Sequence, residues 1–112
     1  MNARSQVLLW GAQRISAMVL ALCVVVHLVT IIYAVRNGLS AAEILSRTQG
    51  SFLWGGFYVL FVLAVAVHAP IGVRNILAEF GQRGPNVDTP LIFLALMLMM
   101  GGLRAVWAVV AS

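Results

Sequence analysis

Apolar positions along the chain gather into three long blocks separated by short polar stretches. Residues 15–35 and 52–73 contain no charged side chain, and residues 90–111 contain one, Arg104. About 20 apolar residues at a rise of 1.5 Å each cross a hydrocarbon core of about 30 Å. Each block is long enough to span, so the pattern predicts three transmembrane helices. The first block also exceeds the apolar region of a signal peptide. Between the blocks the punctuation agrees. Asn37-Gly38 closes the first helix, and a short polar loop carries Glu43, Arg47 and Gln49 to Gly50-Ser51. Gly81, Gly84-Pro85-Asn86 and Thr89-Pro90 break the chain before the third, with Pro90 suited to a first helical turn. No repeat or second domain is visible. The expected architecture is all-α: one membrane domain over residues 1–112, built to join a larger helical bundle with a partner subunit.

Composition narrows the functional classes. The chain has 112 residues, 62% of them apolar, with 7 basic side chains, all arginine, and 3 acidic ones. Soluble domains are about 25% charged, so this chain cannot cover a water-facing surface. The single cysteine, Cys23, excludes an internal disulfide framework and any multi-cysteine metal site. The net charge of +4 is scattered, which argues for membrane edges and cofactor charges and against nucleic acid. Arg4, Arg14, Arg74 and Arg83 fall on one side of the three spans, Arg36 and Arg47 on the other. That asymmetry favours a cytoplasmic N-terminus.

With such short connectors, any chemistry must lie in the spans or in a partner. Polar residues inside a membrane are costly and usually functional. The first span carries Ser16, Cys23, His27 and Thr30 near one helical face, the second His68, Pro70 and Gly72, and the third Gly101, Gly102 and Arg104. No span contains an acid, which argues against a proton-coupled exporter. A neutral imidazole is a common haem ligand, and a glycine one turn away, as in His68-x-x-x-Gly72, removes a side chain that would strike the macrocycle. Pro70 frees the carbonyl of Ala66, which opens room for a cofactor or serves packing. Either histidine can instead hydrogen-bond a neighbouring helix. Helix rise from the expected helix ends puts His27 about 24 Å and His68 about 16 Å from the inner side. A difference of about 8 Å does not suit opposite faces of one haem. It favours two haems, or one ligand and one bystander.

Gln13-Arg14-Ile15-Ser16-Ala17 at the start of the first span, and His68-Ala-Pro-Ile-Gly72-Val-Arg74 running on to Glu79, resemble the cytochrome b subunits of succinate dehydrogenase and fumarate reductase. The resemblance covers most of the chain, and the second motif is the more specific. It implies an anchor subunit in the inner membrane, held with a flavoprotein, an iron–sulfur subunit and a second anchor. Such a subunit positions quinone near the iron–sulfur relay and binds haem b, one or two, the second shared with a partner subunit. His68 falls on the family's haem ligand, Arg74 on the arginine of the same motif and so is expected among the haem-binding residues, and Arg14 and Ser16 on the motif lining the quinone site and the haem propionates. His27 resembles the first-span histidine of the two-haem branch. The chain departs from the pattern at Gln13, where histidine is usual, at Ala17, where glycine is usual, and at Trp10, where a quinone-contacting serine is common. A haem-free structural anchor or assembly subunit is the alternative.

Arg104 lies about 21 Å from the inner side by helix rise, close to the depth expected for His27. It either faces the propionates of a haem on His27 or snorkels to the outer interface. Met97, Met99 and Met100 are expected to pack, and Trp10, Trp54 and Trp107 to mark span ends.

Overall fold

In a computed structural model, which describes residues 2–111, the chain forms four helices: α1 (Ala3–Arg36), α2 (Ala41–Thr48), α3 (Phe52–Glu79) and α4 (Pro85–Val110). Three of them, α1, α3 and α4, are long and apolar enough to cross a membrane. The all-helical, three-span architecture is therefore as the pattern predicts. The molecule measures 49 × 23 × 23 Å, one long helix by two helix widths.

Three boundaries differ from the sequence reading. Helix α1 starts at Ala3, capped by the Asn2 side chain on the Ser5 amide at 2.8 Å, and runs 34 residues. That is about 51 Å of helix, so its first turns extend beyond the apolar block. Polar residues there allow helix as readily as loop, and hydropathy alone does not locate the end. The connector after α1 is not plain loop: it contains α2. Ser40 and Glu43 form a reciprocal capping box around its start. Its end then ties down the end of α4, where Thr48 Oγ1 donates to the Val109 carbonyl at 2.6 Å and the Gly50 amide to the Val110 carbonyl at 2.7 Å. Those carbonyls have no partner inside α4. In α4, Pro85 rather than Pro90 occupies the first turn. Gly84, at a φ of 96°, supplies the turn that lets the helix begin five residues early.

The packing is thin. Helix α3 is the middle element, with α1 and α4 against it and α2 resting on α4. The apolar residues buried among those described are small: Cys23, Ala64, Ala66, Pro70 and Val106. Small residues let helix backbones approach in membranes, where apolar side chains gain little by leaving lipid. The tightest approach is at Gly102, where an added Cβ would lie 2.5 Å from Val62 Cγ1. Large apolar side chains such as Leu22, Leu53, Phe93 and Met100 point outward all round. A lipid or protein environment must cover them.

Candidate functional site

The antiparallel packing of α1 on α3 sets the level of each histidine. Ser16 Oγ lies 3.5 Å from His68 Nδ1, and His27 Nδ1 lies 3.4 Å from the Tyr58 hydroxyl. His68 is thus level with Ser16, while His27 stands eleven residues further along α1. The two imidazoles are about 16 Å apart along the helix axes, twice the separation read from the sequence. The difference arises because the expected ends used for that reading, Gly11 at the start of the first helix and Glu79 at the end of the second, are not at the same level.

Around His68 the chain is polar and open on one side. A groove of about 520 Å³ is lined by His68, Arg14, Gln13, Trp10 and Asn75. Ala17 and Ala21 leave room in it by their small size. The Arg14 guanidinium lies 5.0 Å from the centre of the Trp10 ring, one helical turn away, a cation–π contact that holds it over the groove. Ser16 is buried beneath. Its hydroxyl donates to the Gln13 carbonyl at 3.0 Å, so a lone pair remains for the proton on His68 Nδ1 at the longer 3.5 Å. That arrangement favours the tautomer with an unprotonated Nε2, the form that can ligate a metal. Gln13 is the unbalanced member: its side-chain oxygen is buried with no hydrogen-bond partner. Leaving such an acceptor unmade costs about 1–3 kcal/mol.

Gly72 serves α1 rather than the groove itself. A Cβ there would lie 3.4 Å from Gln13 Nε2. Arg74 is set apart from His68: its Nε donates to Asp88 Oδ1 at 3.1 Å, joining the end of α3 to the start of α4. Both side chains are about one-third exposed, at 29% and 37%. Arg74 and Asp88 line a separate polar groove of about 550 Å³ with Gln6, Gln82 and Arg83.

Around His27 the surroundings are aromatic and apolar. Its ring meets Tyr58 and Phe61 edge-on, with centroids 5.8 and 5.6 Å away. It borders a cavity of about 580 Å³ between α2, α3 and α4, lined by Phe61, Val65, Gly101 and Ala105 among others. Arg104 reaches the expected level, since Gly102, two residues before it, faces Val62, the residue next to Phe61. It is nevertheless exposed and is not part of that cavity's wall.

The structure therefore brings Arg14, Ser16 and His68 together, and leaves Arg74, His27 and Arg104 each in a different place. Gln13, Asn75, Tyr58 and Asp88 join these settings without having been singled out as site residues in the sequence. Gln13 was visible as a departure from the family pattern, and Trp10 with Arg14 as a pair four apart. Asp88 and Tyr58 carry no local signal, because their partners lie 14 and 31 residues away.

Among the described residues, no group of three or more His, Cys, Asp or Glu side chains gathers as a bare-ion site. Each histidine is a candidate ligand on its own. No curated protein and no solved structure matches the chain. A family model does, that of the succinate dehydrogenase/fumarate reductase transmembrane subunit, over residues 1–103 of the 112. With three apolar helices, one histidine facing the groove of Arg14, and a match over nearly its whole length, this multi-pass membrane protein belongs to the succinate dehydrogenase/fumarate reductase transmembrane-subunit family.

Proposed function

We propose that this chain anchors a succinate:quinone oxidoreductase in the inner membrane, N-terminus in the cytoplasm, and supplies a haem b ligand and one wall of the quinone pocket. The family implies catalytic partner subunits; in this reading they are a flavoprotein and an iron–sulfur protein, with a second membrane anchor beside this one. The observation that carries the proposal is the Ser16–His68 pair opening onto the groove of Arg14. The residues fit a haem there. His68 would hold the iron through Nε2, Ser16 would fix the ring, and the orphaned Gln13 oxygen points to a polar occupant of the groove. A bound haem b supplies one-electron transfer. The protein's own part is positional. Arg14 donates hydrogen bonds to a quinone carbonyl or a propionate, and Trp10 keeps the guanidinium at the groove. The bulk of the chain excludes water by its apolar faces. Arg74 acts on this site through the helix end that it ties to Asp88.

A second haem on His27 is favoured by the adjoining apolar cavity of about 580 Å³. The separation of about 16 Å from His68 means the two imidazoles would serve different irons. Arg104 would then meet that haem's propionates only after turning from its exposed position.

The test is haem content of the assembled complex by pyridine haemochrome. His68→Ala removes one haem per flavin and its b-type absorption band. Unchanged content and spectrum in that variant overturn the assignment, and a wild-type complex without haem leaves a haem-free anchor. For His27, the wild-type ratio is two haems per flavin and His27→Ala lowers it to one. A wild-type ratio of one, retained in His27→Ala, makes His27 a packing residue.

A further inference from the structure

Gln13 holds an unmet demand beside the groove. Its side-chain oxygen is buried without a partner, and its nitrogen lies against the open Cβ position of Gly72. No described residue donates to that oxygen. The Ser16 hydroxyl is directed at the backbone carbonyl of Gln13, and His68 Nδ1 faces Ser16. The terminal amide torsion of glutamine is soft, and Gln13 itself lines the groove. An occupant bearing a hydrogen-bond donor would satisfy the oxygen.

The two redox forms of the substrate differ in that property. A quinone offers only carbonyl acceptors. The quinol, after gain of two electrons and two protons, carries two hydroxyls that donate as well as accept. Arg14 has donors and no acceptor, so it can serve either form. Only the quinol can donate to Gln13. We infer that Gln13 is a specificity residue that makes this groove hold the quinol more tightly than the quinone. The inference rests on the groove being the quinone pocket.

The experiment uses the assembled complex in its membranes with whichever short-tailed benzoquinone or naphthoquinone the wild type turns over. KM is measured for the quinone in succinate-driven reduction and for the quinol in fumarate-driven oxidation. Gln13→Met keeps the side-chain length and removes the amide. Loss of one neutral hydrogen bond predicts a rise in the quinol KM of about 2- to 12-fold, with the quinone KM within about twofold of wild type. Equal changes in both, no change in either, or a rise confined to the quinone overturns the inference. The last result would mean that the buried amide atom is the nitrogen donor, with oxygen and nitrogen exchanged.

A second measurement needs no variant. In the wild type, a phenolic quinol analogue should inhibit about 2- to 12-fold more strongly than its O-methyl ether, and equal inhibition overturns the inference. Arg14→Met separates the levels of failure. If it leaves both quinone and quinol KM unchanged while dye-linked succinate oxidation is intact, the pocket lies elsewhere and both readings fail. If it raises them while Gln13→Met does not discriminate, only the role of Gln13 fails.

Discussion

The two histidines sit in opposite kinds of surroundings. His68 is tethered by a buried serine and opens onto a groove with a guanidinium, two amides and an indole. His27 is edged by two aromatic rings and opens onto apolar side chains and glycine. The same imidazole is thus offered to two different chemistries. A groove with fixed donors can orient a polar head group, such as a quinone carbonyl or a carboxylate. An aromatic and apolar cavity can hold a flat hydrophobic plate but has little to orient it. The polar half lies where α1 and α3 meet, and the apolar half where α3 and α4 meet under α2. Charge handling and apolar packing are therefore assigned to different helix pairs.

Three perturbations sharpen that division. The largest effect is expected at the α3–α4 seam. Gly102→Ala forces a methyl against the stiff side chain of Val62, and overpacking of this kind costs about 1–3 kcal/mol. Gly101 has nothing within 4 Å of its Cβ position, so Gly101→Ala should leave stability unchanged. Thermal loss of the assembled complex in detergent compares the two, and equal melting would mean that the seam is not closely packed. Next comes the tether. Ser16→Ala removes the acceptor for His68 Nδ1, and loss of such a supporting partner weakens a metal ligand about 10- to 100-fold. Transfer of haem to an external acceptor protein measures it. Tyr58→Phe, the matching change beside His27, should not accelerate loss of the haem proposed on His68. If it does, the two halves are not independent. The smallest effect is expected from Asp88→Asn. A partly exposed ion pair contributes about 0.2–1 kcal/mol, so a slight fall in stability that vanishes in high salt is the expected result.

Much of the architecture follows from hydropathy, because a membrane core imposes a minimum length on any helix that crosses it. Blocks 15–35 and 52–73 lie within α1 and α3, and the third block lies within α4 up to residue 110. What hydropathy does not constrain is the helix outside the core. Residues 3–14 and 85–89 are polar or mixed yet helical, and α2 is too short and too polar to register as a span. Part of the candidate site was legible for a similar reason. Arg14 and Ser16 are near neighbours on one helix, and His68-x-x-x-Gly72 carries a recognisable spacing. The contact between them depends on the register of two helices 52 residues apart in sequence.

The sequence by itself determined the class of molecule, the number of spans and the chemistry available in each, since these depend on local composition and on the length needed to cross lipid. Only the tertiary structure decided how those chemistries combine. Sliding α1 along α3 by one turn would move Ser16 about 5 Å from His68, without altering one residue or the hydropathy of either helix. Small contacts fix that register, with Ala64 and Cys23 buried at the helix faces and Gly72 against Gln13, while Val62 against Gly102 sets α4 on α3. The packing of α4 on α3 brings Arg74 to Asp88 and leaves Arg104 outside the wall of the cavity that His27 borders. Side-chain volume at a helix interface is short-ranged and acts between segments far apart in sequence. It therefore leaves no periodic signal in either segment alone.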